Sequence, residues 1–128
     1  MNTDSITREQ VLARWDNMTP RERNALIAEK VMGWTKPDSS APKRAQWQIG
    51  ERQFVTEFRP TTDIVDAFEV WENDRPDDWI FELSYLKGQY YAEIIEPYVG
   101  VLAKVRAKSA AEAMVKCRLL AKLAVMEE

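Results

Sequence analysis

Apolar and polar residues recur along this chain with two periods, and the switches between them mark its elements. Thr7-Arg8-Glu9-Gln10 has the spacing of a helix-capping box, and Val11, Leu12 and Trp15 follow at helical intervals. A short first helix is predicted over about 7–17. Thr19-Pro20-Arg21-Glu22 is a stronger start, with a cap, a proline at the first helical position and a glutamate three residues on. The second helix is expected to reach about Met32, with Leu26, Ile27 and Val31 near one face and Gly33 as its left-handed stop. Lys36 to Arg44 contains Pro37, Asp38, Ser39, Ser40 and Pro42, which is loop chemistry.

Period two then takes over. Ala45–Ile49 and Gln53–Phe58 are predicted strands around Gly50-Glu51, with Trp47, Ile49, Phe54 and Phe58 as their apolar positions. Pro60 cannot continue a ladder, and Thr61 or Thr62 is the expected cap of the next helix. Ile64, Ala67, Phe68 and Trp71 fall at i, i+3, i+4 and i+7, so this helix is expected to be amphipathic and central to the packing. Trp79–Leu86 and Gln89–Glu96 form a predicted hairpin around Lys87-Gly88. A two-residue turn pairs Tyr85 with Tyr90, Leu83 with Ala92 and Phe81 with Ile94 on an apolar face. Ser84/Tyr91, Glu82/Glu93 and Ile80/Ile95 then share the other face. A third strand is expected to place Val99, Val101, Ala103, Val105 and Ala107 on one side. Ser109-Ala110-Ala111-Glu112 caps a last helix whose stripe is Ala113, Cys117, Leu120, Ala121 and Ala124.

The order α-α-β-β-α-β-β-β-α predicts an α+β fold, an antiparallel sheet of about 3–5 strands with helices packed on its faces. The 128 residues suit a single domain, with the short first helix leading into a core over about 19–125. No apolar run approaches the ~20 residues of a membrane span. Met1-Asn2-Thr3-Asp4-Ser5 lacks the basic and apolar regions of a signal peptide, and the single cysteine, Cys117, excludes an internal disulfide. A reducing cytoplasm is the expected location.

Charge and composition then narrow the chemistry. The chain has no histidine, which removes His-based triads and the usual zinc sites, while carboxylate chemistry with Mg²⁺ or Ca²⁺ survives. The net charge is −3, unevenly spread. Residues 57–96 carry eleven Asp/Glu against Arg59, Arg75 and Lys87, a balance of −8. Residues 97–126 carry Lys104, Arg106, Lys108, Lys116, Arg118 and Lys122 against Glu112, a balance of +5. The basic segment is expected to complement the acidic hairpin beside it, since an acidic chain without a dominant basic stripe is a poor nucleic-acid binder.

Several runs resemble one family. Ala28-Glu29-Lys30-Val31-Met32-Gly33-Trp34 is similar to the AEKVMGW signature of the phage ABA-sandwich domain family. Phe58-x-Pro60-x-Thr62-Asp63-Ile64, a helix ending near Val70-Trp71, and Ala111-Glu112-Ala113 with Cys117 and Ala121 also resemble it, as does Met18-Thr19-Pro20-Arg21-Glu22. The resemblance runs from about Thr7 to Leu123. It implies an α-β-α sandwich and a phage or prophage origin, mostly in Gram-positive hosts, and it carries no catalytic residues over. The loop through Arg44 is longer than in the family, and Arg75 to Asp78 is an acidic departure.

The function expected from these observations is non-enzymatic: an accessory protein that binds a host or phage protein or a small ligand in the bacterial cytoplasm, with counter-defence as one version and no cofactor. Trp34, Trp47, Arg59, Trp79 and Tyr91 are the candidate binding residues, because aromatics beside arginines stack rings and hold phosphates. Core and edge packing is the plainer account of the tryptophans. A more specific alternative is sequestration of a signalling nucleotide by an oligomer, and five Trp and four Tyr are many for one small core. A second alternative is a metal-dependent enzyme built on Glu82, Glu93 and a nearby Asp; neutralisation of the pair by Lys104 and Arg106 competes with it. A nucleic-acid binder using Lys104, Arg106, Lys116, Arg118 and Lys122 ranks last. Cys117, with no base to activate it, is expected to be an inert buried thiol.

Overall fold

Capping chemistry starts both N-terminal helices. In the computed structural model, which describes residues 6–126, Thr7 caps α1 (Arg8–Arg14) and Thr19 caps α2 (Pro20–Lys30), each by a complete reciprocal capping box. The polar start Met1-Asn2-Thr3-Asp4-Ser5, on which the absence of a signal peptide was expected, lies outside the described residues. A 3-10 turn at Trp15–Asn17 joins the two helices.

The first two strands are shorter than the hydrophobic pattern suggests. β1 (Trp47–Ile49) and β2 (Gln53–Val55) form a two-stranded ribbon apart from the larger sheet, and Gln48 of β1 also bridges Thr35 on its other side. The ladder ends at Val55, and the Phe58 N–H goes to the Gln46 side chain at 3.2 Å instead of a strand carbonyl, so the strand stops short of Phe58.

α3 (Ile64–Glu72) is capped by Asp63, whose carboxylate accepts the Val65 N–H at 2.9 Å, and not by Thr61 or Thr62. Thr61 is buried and donates both its N–H and its hydroxyl to Asn24 Oδ1, at 3.1 and 2.7 Å, which takes it away from the helix end. The buried face of α3 is Ala67, Val70 and Trp71, whereas Ile64 and Phe68 are exposed. The helix is therefore rotated from the expected stripe and is not the central element.

That place belongs to α4 (Ala110–Met126), buried from Ala111 to Ala121 apart from half-buried Glu112. The expected stripe of Ala113, Cys117, Leu120, Ala121 and Ala124 is buried, and so are Met114, Val115, Leu119 and Leu123. A helix buried nearly all round has a neighbour on each side. On one side lie β4 (Gln89–Glu96) and β5 (Gly100–Ala107), and on the other α3, α1 and α2. No helix among the described residues is long and apolar enough to cross a membrane.

β3 (Ile80–Leu86), β4 and β5 form an antiparallel sheet in the order β3-β4-β5, and the hairpin register is the predicted one throughout. β5 departs from its prediction at one residue. Ile94 pairs with Ala103 but Ile95 with Val101, so Leu102 bulges out of the ladder and the strand's parity switches there. Leu102 is 8% exposed and Val101 55%, which ends the apolar face at Ala103 instead of carrying it through Val101 to Val99. With strands and helices in one core, the chain has an α+β fold.

Candidate functional site

A cleft opens where the first turn of α2 meets the ribbon and the Phe58–Thr62 turn. Its volume is about 1120 Å³, and it is lined by Pro20, Arg21, Glu22, Asn24 and Ala25 on one wall and by Lys36, Pro37 and Trp47 on the other. Phe58, Arg59 and Thr62 complete it. Side-chain hydrogen bonds hold the turn in place. Asn24 accepts the two Thr61 donors, Asp66 accepts the Arg59 N–H at 2.8 Å, and Gln46 Oε1 accepts the Phe58 N–H at 3.2 Å. Gln48 is buried yet fully used: it accepts the Asp38 N–H at 3.1 Å and donates to Gly50 O at 2.9 Å, which ties the long loop to the ribbon.

The cleft is electropositive at its rim. Arg21, Lys36 and Arg59 are all exposed there. Arg59 Nη2 meets Glu57 Oε1 at 2.9 Å, but both side chains are more than half exposed, so the pair is weak and open to exchange. Glu22 is committed elsewhere. It accepts the Thr19 N–H at 3.0 Å, and that bond, followed by one to the Thr19 side chain, holds its carboxyl below the ordinary value. The apolar part of the lining is Pro20, Pro37 and the buried Trp47 and Phe58.

The predicted binding residues separate into three places. Trp47 and Arg59 line the cleft, and Trp34 supports it from behind with its ring edge-on to Phe58 at 4.7 Å. Trp79 is buried beneath Arg118, whose guanidinium lies 5.2 Å from its ring and donates to Asn73 O at 2.7 Å. Tyr91 stands on the outer sheet face with Glu82, Glu93 and Lys104, around a hollow of about 640 Å³. Arg44 and Arg52 are exposed and do not line the cleft. Arg21 and Lys36 were absent from the sequence-based set. The available signal was Arg21 in the first turn of a helix, where the dipole disfavours a cation and a purely structural choice would avoid one.

Glu82 and Glu93 face each other in register, with Lys104 across from Glu93 on β5 and Arg106 across from Tyr91. No group of three or more metal-ligating side chains occurs among the described residues. The hairpin register sets two like charges opposite each other across β3 and β4, with Lys104 as the nearest counter-charge in the ladder. Glu82→Gln is expected to raise stability by roughly 0.5 kcal/mol, read from the urea midpoint at pH 7. A loss of stability would show that the two carboxylates hold something between them.

The basic side chains of α4 are turned to structural work. Lys116 and Arg118 are buried, Lys116 Nζ lies 3.5 Å from Arg106 O, and Lys122 Nζ lies 3.2 Å from Val31 O. Burial lowers the pKa of all three. Of the five residues a nucleic-acid surface would use, only Lys104 and Arg106 are exposed.

A crystal structure of a phage protein from Bacillus cereus ATCC 14579, determined at 2.0 Å, is similar to this chain. The two share 28% sequence identity and superpose with a TM-score of 0.58, over 81% of this chain and 92% of that one. None of the curated proteins matches. The family model of the phage ABA sandwich domain matches residues 25–117, which include β1 to β5, α3 and the first half of α4. On that match the chain belongs to the phage ABA sandwich domain family.

Proposed function

We propose that the protein acts by binding and not by catalysis, and that its ligand is a small anion with a flat ring, the class to which signalling nucleotides belong. The observation that carries this reading is the cleft itself: Arg21, Lys36 and Arg59 on an exposed rim, with proline and aromatic side chains in the lining. Ligand pockets of roughly this size combine an apolar wall with a few orienting polar groups, and guanidinium groups match phosphate oxygens in pairs. A phage protein that held such a ligand in the host cytoplasm without turning it over would lower the ligand's free concentration there. Counter-defence by sequestration is the role this gives the chain.

The test is native mass spectrometry and absorbance at 260 nm of the protein as purified from bacteria, followed by titration with a panel of mononucleotides and cyclic nucleotides. A retained or titratable nucleotide-sized ligand is expected. Arg59→Ala should weaken it by about 10-fold to 100-fold, the worth of one charge-assisted hydrogen bond, with affinity falling as salt rises. A panel in which nothing binds at low salt would overturn the reading and shift the function to a protein partner.

A further inference from the structure

We propose that β3 is the seam of a symmetric dimer, in which the β3 edges of two copies pair antiparallel about Leu83 and join two three-stranded sheets into one. The proposal concerns a surface away from the cleft and stands independently of what the cleft binds.

Among the described residues β3 is an unpaired edge of seven residues, regular along its whole length, with no proline, no lysine and no bulge. Edge strands left in that condition are templates for another strand. The opposite edge, β5, is broken by its bulge and carries Lys104 and Arg106. On β3 the single charge is Glu82.

The turn fixes which backbone groups are free. Lys87 and Gly88 both have positive φ, 51° and 84°, the geometry of a tight two-residue hairpin. In such a hairpin the flanking pair, Leu86 and Gln89, exchanges hydrogen bonds, and so does every second pair below it: Ser84/Tyr91, Glu82/Glu93 and Ile80/Ile95. The N–H and C=O groups of Phe81, Leu83 and Tyr85 therefore point outward from the sheet.

Those three residues select the register. With Leu83 opposite Leu83 of the second copy, Phe81 falls opposite Tyr85, Ile80 opposite Leu86, and Glu82 opposite Ser84. All of β3 is paired and no charges of like sign meet. Centring the pair on Glu82 instead would set two carboxylates face to face, which destabilises a ladder. On β3 itself Ile80, Leu83, Tyr85 and Leu86 are all exposed on the monomer, and this register gives each of them an apolar partner. Leu83 is 40% exposed and Tyr85 62%, although both lie on the side of the sheet that faces α4. Phe81 already packs at a tilt against Trp71 at 5.1 Å and Tyr85 against Tyr90 at 4.9 Å, so pairing Phe81 with Tyr85 would link two aromatic pairs across the seam.

Sedimentation velocity and native mass spectrometry over a range of concentrations test this. The wild-type protein is expected to be a dimer or an even-numbered assembly of dimers. Leu83→Pro removes an outward N–H that β4 does not use, so it should leave the hairpin intact by circular dichroism and abolish the pairing. Should that variant fail to fold, position 84 decides the matter. Ser84→Glu should weaken the dimer about tenfold by facing Glu82 of the other copy, twice by symmetry, whereas Ser84→Lys should hold or tighten it. A wild-type protein that stays monomeric at ~100 µM, where only weak association escapes detection, overturns the proposal. So does an assembly indifferent to the charge at position 84.

Discussion

Trp15→Ala is expected to cost about 4 kcal/mol of folding stability, the usual toll for emptying a fully buried indole site. Trp15 has no exposed surface, and its surroundings are polar enough to make the loss worse than a cavity alone. Its indole N–H donates to Glu112 Oε2 at 2.9 Å, Arg23 Nη1 lies 3.6 Å from the same oxygen, and Arg23 Nε donates to Trp15 O at 2.8 Å. The Arg23 guanidinium also sits 5.4 Å from the centre of the ring. Removing the indole takes the N–H donor from Glu112 and the aromatic surface from Arg23. Trp15→Phe should recover most of the packing and lose the hydrogen bond, for a cost of roughly 1–2 kcal/mol. Urea unfolding of both variants checks the order. The result also bears on the extent of the domain, because Trp15 lies before residue 25, where the family match begins. An alanine cost below about 1 kcal/mol would make the segment before α2 an appendage and not part of the core.

Trp15 also shows what the sequence made legible. Helices whose caps satisfy their own N–H groups are local objects, and α1 and α2 begin where Thr7 and Thr19 predict. The β3–β4 register was legible for a similar reason, since a two-residue turn leaves no freedom once the apolar face is known. Tertiary competition was not legible. Thr61 reads as a helix cap until Asn24, 37 residues earlier, takes both its donors, and Asp63 caps α3 in its place. Phe68 reads as core because the pattern cannot say which side of α3 meets α4. The bulge at Leu102 is one residue of slip ahead of Lys104, where Val101, Leu102 and Ala103 leave both parities apolar. The cleft was half legible. Trp47 and Arg59 were in the predicted set, whereas Arg21 and Lys36 joined them only once the ribbon folded back over α2.

Cys117 gives the largest expected pH effect. The thiol is buried in α4, with Sγ 3.6 Å from Ala103 O, and burial, aided by the negative charge of Glu93, pushes its pKa from 9.0 up to about 12. In the unfolded chain the thiol ionises near its ordinary value. Between about pH 9 and pH 12 the unfolded state therefore loses a proton that the folded state keeps, and stability falls as pH rises. Below pH 9.0 the contribution is intact, because both states hold the proton. At about 1.4 kcal/mol per pH unit the loss reaches roughly 3–4 kcal/mol at the top of the window. Lys116 and Lys122 act in the opposite sense. Burial lowers their folded pKa values, so their deprotonation on approaching pH 10.5 relieves a cost. Both lysines are present in Cys117→Ala, and the difference between the two proteins isolates the thiol. That variant should lose roughly 1 kcal/mol at pH 7 for the missing sulfur and then overtake the wild type above about pH 10, in unfolding curves measured from pH 7 to 11. The wild-type thiol should also resist an aromatic disulfide reagent at pH 8 until the protein unfolds. Parallel alkaline slopes for the two proteins, or labelling at the rate of a free thiol, would place Cys117 in contact with solvent and undo the account of α4 as the buried centre of the fold.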